Sequence, residues 1–285
     1  MDRIITSVKR FGACAVLAMA ASTSAQAILI TQNSSAADLA NAVAAQSGGT
    51  LSIVNSPVLS GNPGSSGTYT NASGTYGIGN GIVLSSGNVN NYNDGPNTLS
   101  NTTTNFGVSA TAGQELLLDP ITGGSFDHFD VTQLDLDFTT TTGSVFFNVV
   151  FGSEEFPEFV GSTFIDGFGL YLDGINIAFF GGGPVNINHP GFAAVAGTEL
   201  DGVLLDSGGP VTFSSTGLTI GDIHKLTFII ADTSDSRFDS TAYIGGLSGV
   251  QPPDPTIPEP TSIALLGLGL LGLPNLRRKL KFRPG

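Results

Sequence analysis

The chain has 285 residues, 40% of them hydrophobic, with 39 glycines, no tryptophan, a single cysteine and a formal net charge of −13. The charge is polarised: residues 28–260 carry 22 acidic residues against two basic ones, Lys225 and Arg237, a net of −20. This argues against nucleic acid as a partner, since phosphate binding needs a basic surface, and with only Cys14 present no disulfide braces the chain.

The N-terminus reads as a secretory signal over residues 1–27. Arg3, Lys9 and Arg10 precede an apolar run from Phe11 to Ala21, and Ala25-Gln26-Ala27 is a small-x-small cleavage site with Ala25 and Ala27 as its small residues. The apolar run is too short to span a membrane. Almost no apolar stretch precedes Cys14, which argues against a lipoprotein signal.

Residues 28–250 read as one β domain. A short helix is predicted over 35–46, capped by Ser34 or Ser35, with Leu39 and Val43 on one face. Leu134, Leu136 and Phe138 alternate with Asp135 and Asp137, which predicts a half-buried strand with an acidic outer face. Val145 to Phe151 reads as a central strand. Phe168–Leu172 and Ile175–Phe180 flank the Asp173-Gly174 hairpin turn. Leu226, Phe228 and Ile230 mark a further strand, and Thr241–Leu247 the last. The Gly/Asn/Ser-rich stretches 60–80 and 86–105 read as loops, with Asn91, Asn93, Asp94 and Asn97 forming turns around Gly95-Pro96. The fold class expected is mainly β: a jelly-roll-like β-sandwich with one short N-terminal helix, followed by a C-terminal single-pass hydrophobic helix.

Two loops concentrate acids directly after strands. One, from Phe151 to Phe168, holds Glu154, Glu155, Glu158 and Asp166; the other holds Asp232, Asp235 and Asp239. Hard oxygen ligands on two strand-end loops are what Ca²⁺ requires, since it takes ~6–8 of them. Self-repulsion in so acidic a domain also favours a bound counter-ion. The candidate ligands are Glu154, Glu155, Asp166, Asp232, Asp235 and Asp239. Glu154 and Glu155 are adjacent and on a strand would face opposite sides. The alternative is that these acids cap turns and keep the domain soluble, with no metal. Arg237 is expected to pair with a neighbouring carboxylate. Catalysis finds little support: His128, His189 and His224 are scattered, no nucleophile elbow is present, and paired carboxylates without tryptophan make a poor glycosidase. The chain is therefore read as no enzyme, with a glycoside hydrolase using loop carboxylates as the alternative.

Residues 251–257 form a Pro-rich linker, and 258–285 a tail. The thirteen residues Thr261–Leu273 carry no charge and span roughly 20 Å as a helix, short of the ~30 Å hydrocarbon core. The basic end (Arg277, Arg278, Lys279 and Lys281) should stay cytoplasmic.

Two resemblances bear on function. Pro258-Glu259-Pro260, the Gly/Leu-rich span and the basic end resemble the PEP-CTERM sorting signal of Gram-negative bacteria. That resemblance implies transient inner-membrane anchoring, cleavage by an exosortase-type membrane enzyme near Pro258-Glu259-Pro260, and association with exopolysaccharide, biofilm or floc matrix. Gly81–Gly87, Gly95-Pro96-Asn97, Ser153–Gly161 and Ile230–Asp239 resemble, in order, the choice-of-anchor L domain, with Phe156 where relatives often have tyrosine. It implies a bacterial surface protein of unspecified molecular activity. Together they point to an adhesive or structural role toward exopolysaccharide or other surface proteins, or to a self-associating matrix protein without a glycan ligand.

Overall fold

The computed structural model describes residues 28–251; the signal segment, all of the linker but Gln251, and the sorting tail with the hydrophobic helix expected there lie outside them. The strands in chain order are β1 (Ile28–Gln32), β2 (Leu51–Ser60), β3 (Ser66–Asn71), β4 (Gly81–Ser85), β5 (His128–Thr140), β6 (Ser144–Ser153), β7 (Gly167–Leu172), β8 (Ile175–Asn176), β9 (Phe179–Phe180), β10 (Gly183–Asn186), β11 (Phe192–Ala193), β12 (Gly202–Leu204), β13 (Val211–Thr216), β14 (His224–Thr233) and β15 (Ser240–Ser248). They form a two-sheet antiparallel sandwich. The first sheet runs β1-β3-β4-β15-β6-β12-β11, with β13 also on β6; the second runs β2-β5-β14-β7-β10-β9, with β8 on β7.

Alternation fixes which residues meet between the sheets. Leu134, Leu136 and Phe138 of β5, Val145, Phe147, Val149 and Phe151 of β6, and Leu226, Phe228 and Ile230 of β14 all enter the central core. Asp135 and Asp137 face outward, as the sequence pattern predicts, where Thr227 and Asn55 hydrogen-bond them. Phe147 and Phe228 meet edge to face at 5.7 Å, joining the two sheets. Helix α1 (Ala36–Ala44) is capped by Ser35, which accepts the Asp38 amide, and buries Leu39, Ala40 and Val43 against this core.

Two further apolar layers explain why several strands are buried on both faces. Outside the first sheet, Tyr69, Tyr76, Tyr92 and Tyr243 pack with Ile28, Val83 and Val150. Outside the second sheet lies helix α2 (Ala112–Thr122), an addition to the single helix expected from sequence. It opens with a capping box between Thr111 and Gln114. Its Leu118 and Ile121 cover Tyr171, Ile229 and Ala231. Gly167 and Gly169 make that approach possible, since a Cβ at either would lie 2.6 Å from the Ile121 side chain.

The β7–β8 hairpin turns at Asp173 and Gly174, both with positive φ (49° and 84°), as the twist of a two-residue loop demands. The expected strand over 175–180 is interrupted, because Asn176 turns its side-chain carbonyl back onto the Leu170 and Ala178 amides. The acidic loops and the chain exit lie at opposite ends of the sandwich. At the exit, the Gly249 amide donates to the Thr50 hydroxyl, and the Gly249 carbonyl accepts from Thr142.

The aromatic joint carries a measurable share of the stability. Phe147→Ala should cost about 3–5 kcal/mol in urea denaturation; a loss below about 1 kcal/mol would show that the sheets do not depend on it.

Candidate functional site: a buried acidic pole under an irregular strap

β6, β14 and β15 end together, and this places the two acidic loops side by side. Ser153 pairs with Ser240 across β6–β15, and the Glu154 amide donates to the Asp239 carbonyl at 3.1 Å. A bulge in β5 at Asp130 and Val131, the two residues set against Ala231 of β14, re-aims the strand end. Glu154, Glu155, Asp166, Asp232 and Asp239 are all buried, at 0–1% exposure. Asp235 is half-buried and accepts the Arg237 amide. The expected ion pair of Arg237 does not form: its side chain is exposed, and the ion pairs among the described residues are His128–Glu115, His224–Asp173 and Lys225–Asp135.

Residues 93–111 have almost no regular structure and lie over this pole as a strap. Their backbone amides take carboxylates as partners. Thr98 and Leu99 donate to Glu199 at 2.8 and 3.0 Å, and Asn101 donates to Asp201 at 3.2 Å. Thr102 donates to Glu154 at 3.0 Å, and Thr104 to both oxygens of Asp239 at 2.9 Å. Phe106, Gly107 and Val108 converge on Asp130 at 2.8–3.1 Å. Where the carboxylate is ionised, such bonds are charge-assisted and about twice as strong as neutral ones. The asparagines expected to make turns also brace the strap: Asn97 donates to Asp201, and Asn91 to Thr104.

Asp130, Glu199 and Asp201 belong to this site and were not among the residues singled out by sequence. Asp130 is the third residue of β5, turned by a positive φ of 51° at the bulge. Glu199 and Asp201 flank buried Leu200, so alternation puts both carboxylates on one face; that spacing was the available signal.

The glycine-bearing stretch 81–87 has a structural reason. The Ser85 hydroxyl donates to the Ser240 carbonyl, and the Ser86 hydroxyl accepts the Ser240 amide, together fastening the start of β15. At Gly87 a Cβ would lie 1.6 Å from Asp239 Oδ2, so only glycine leaves room for that carboxylate.

The six sequence-chosen carboxylates divide. Glu154 has Asp201, Asp239 and Glu199 as its charged neighbours, whereas Glu155 has Asp166, Asp235 and Glu158; the adjacent glutamates face opposite sides. Asp232 lies between, with Asp166 and Asp239 beside it. Asp166 is satisfied by the Thr233 amide (2.9 Å) and the Ser240 hydroxyl (2.8 Å). Asp232 has no partner within hydrogen-bond distance on either oxygen, although the Ser86 hydroxyl lies near enough to oppose the rise in its proton affinity. Glu154 Oε1 and Glu155 Oε2 are also unpartnered, as are Asn101 Oδ1 and Thr102 Oγ1 on the strap.

Burial without a nearby cation raises the proton affinity of these acids. Desolvation, reinforced by neighbouring carboxylates, pushes Glu154 and Glu155 up to about 9. Desolvation lifts Asp239 to about 6 against the opposing bonds from Thr104, and carries Asp166 and Asp232 well above the carboxylate range. At Glu199 burial acts the same way, yet the Thr98 and Leu99 bonds win and hold it below its ordinary value.

No three of the six carboxylates bring oxygens within 4.8 Å of one another among the described residues; Glu115, Asp119 and His128 do. Two of these three, His128 and Glu115, are already tied to each other. His128 Nδ1 meets Glu115 at 2.5 Å, its Nε2 meets Thr122 at 3.3 Å, and Glu115 also accepts the His128 amide. Among the described residues no helix is long and apolar enough to cross a membrane.

Comparison with known families agrees with this geometry. The model of the choice-of-anchor L domain matches residues 27–194, and that of the PEP-CTERM protein-sorting motif matches residues 256–279. The first match stops before β14, the central strand that supplies Asp232, and before the loop that carries Asp239 into β15. Neither curated proteins nor solved structures yielded a match.

The raised carboxyl groups set a pH dependence. Glu154 and Glu155 have an ordinary value of 4.5 and a folded value of about 9. The native state therefore binds more protons than the unfolded chain in that window, and stability falls as pH rises through it. With EDTA present, the melting temperature should be higher near pH 6 than near pH 8.5; a rise toward alkaline pH would contradict the assignment.

Proposed function

The chain belongs to the choice-of-anchor L domain family, and on that premise we propose a non-enzymatic adhesive or structural protein of the cell surface or extracellular matrix of a Gram-negative bacterium. It is an exported, sorted surface protein, and the observation that carries the reading is the PEP-CTERM motif placed directly after the sandwich. The motif implies membrane anchoring followed by processing by an exosortase. Exopolysaccharide or neighbouring surface proteins are the partners in this reading.

The site chemistry supports binding over turnover. Both families matched are anchoring and sorting families. Glu154 and Glu155, the acids a glycosidase would use, are buried at 0% and 1% exposure, where a sugar ring does not reach them.

Ca²⁺ as stabiliser belongs to the same reading. Buried carboxylates need compensation by a proton, a hydrogen bond or a cation, and several oxygens at the acidic pole lack a hydrogen-bond partner. Extracellular modules bind Ca²⁺ with Kd of ~10⁻⁴–10⁻³ M, so millimolar Ca²⁺ adds about 1–2 kcal/mol by mass action.

Three measurements test the reading. Glu259→Ala should leave the full-length chain in the membrane fraction; normal release would sever function from sorting. The processed protein should be retained on matrix polysaccharide or on cells that display the partner. Self-association with retention on neither would overturn adhesion. A melting curve with EDTA and with millimolar Ca²⁺ should separate by several degrees, and coincident curves would remove the metal.

A further inference from the structure

The unpartnered atoms are informative as a set. Apart from the Tyr69 hydroxyl, every buried side-chain polar atom without a hydrogen bond among the described residues is an oxygen of Asn101, Thr102, Glu154, Glu155 or Asp232. Asp232 is fully buried with both oxygens free of partners. Buried polar atoms in native proteins are nearly always paired, so a concentration of orphaned oxygens at one place calls for a shared partner. A proton shared between two carboxyl groups satisfies one pair of oxygens and leaves the others without a donor. A hard cation takes many oxygens at once.

The strap side of the pole has the better donor set. Asp239, Glu154 and Asp232 all lie close enough to Tyr92 to act on its hydroxyl, and Tyr92 donates to Asp239 at 3.3 Å. Glu154 uses Oε2 for the Thr102 amide, which leaves Oε1 beside the residue whose hydroxyl oxygen is also free. Carboxylates alone do not converge here, so neutral oxygens are needed to complete a shell. Asn101 and Thr102 are half-buried residues whose Oδ1 and Oγ1 are nonetheless sealed from solvent. A mixed, irregular, all-oxygen set of this kind suits Ca²⁺ better than Mg²⁺, which demands near-ideal octahedral geometry and keeps its waters.

We propose that Ca²⁺ fastens the strap: the ion is held by Glu154 and Asp232 from the sandwich and by Asn101 and Thr102 from the strap, so that cation binding and seating of residues 97–108 are one event. This rests on the calcium reading above and adds its ligands and its consequence. The strap amides that bond Glu199 and Asp130 hold its two ends. The middle crosses the most acidic part of the pole, where removing the ion leaves the oxygens around Asn101 and Thr102 without a common partner.

The exported full chain is stripped with EDTA and titrated with Ca²⁺, and with Tb³⁺ as a luminescent substitute. With no tryptophan in the chain, sensitised Tb³⁺ emission reports energy transfer from tyrosine, and Tyr92 adjoins the site. Chymotrypsin reads the strap, which offers Leu99 at 60% exposure and Phe106. Ca²⁺ should slow cleavage at these residues about tenfold or more. Asn101→Ala should weaken Ca²⁺ binding about tenfold and abolish the protection, beyond the small loss of stability that alanine at a φ of 63° brings to the stripped protein as well. Asp232→Asn should lose the Tb³⁺ signal. If Ca²⁺ raises the melting temperature while strap cleavage and Asn101→Ala affinity stay unchanged, the ion binds elsewhere; the inference falls and the calcium reading stands. If Ca²⁺ changes neither melting nor emission, both fall. Should Asp232→Asn fail to fold, Asn101→Ala decides alone.

Discussion

A buried carboxylate must find opposite charge within hydrogen-bonding reach, and this requirement organises the acidic end of the sandwich. With two basic side chains in the whole segment 28–260, and neither paired with a buried carboxylate of the pole, backbone N–H groups take the role usually given to arginine and lysine. The strap has no strand ladder or helix of its own to satisfy its amides. Acid without cations and backbone without partners solve each other's problem. Glu199 shows the exchange going to completion, held ionised by the strap; Glu154 and Asp232 show where amides run out.

That dependence explains details that otherwise look unrelated. Gly87 is there because Asp239 occupies the space of its side chain. The bulge in β5 and the positive φ of Asp130 within it turn that carboxylate toward the strap where a regular ladder would alternate it away. The apolar layers do a different job. Their burial on both faces of each sheet supplies the cohesion against which a repulsive pole can be maintained, since hydrophobic burial is the dominant favourable term in folding.

Much of the sandwich was legible because its strands obey simple alternation. Leu134–Phe138 and Leu226–Ile230 show their inner faces directly, and Asp173-Gly174 shows its turn. Helix α2 was harder: Gly113 and Pro120 interrupt a pattern whose capping box at Thr111 and Gln114 was nevertheless present. Loop carboxylates that cluster in sequence, such as Glu154 with Glu155 and Asp232 with Asp235, could be picked out together. Asp130, Glu199 and Asp201 could not, because chain crossings between the two sheets bring them in from distant segments. The strap's part was invisible for a further reason: its donors are main-chain amides, which every non-proline residue possesses. Arg237 was misjudged because opposite charge nearby in sequence does not ensure contact, and its exposed side chain remains in water.

The placement of the chain exit has its own consequence. Asp239 precedes β15 and Gly249 follows it, and the nine residues of that strand extend about 30 Å. A tether applied through the C-terminus therefore grips the molecule at the end remote from the strap. It acts on a central strand, through Thr50 and Thr142, and not on a peelable edge. Pulling on that end loads β15 along its length, with β4 and β6 on either side sharing the force in shear.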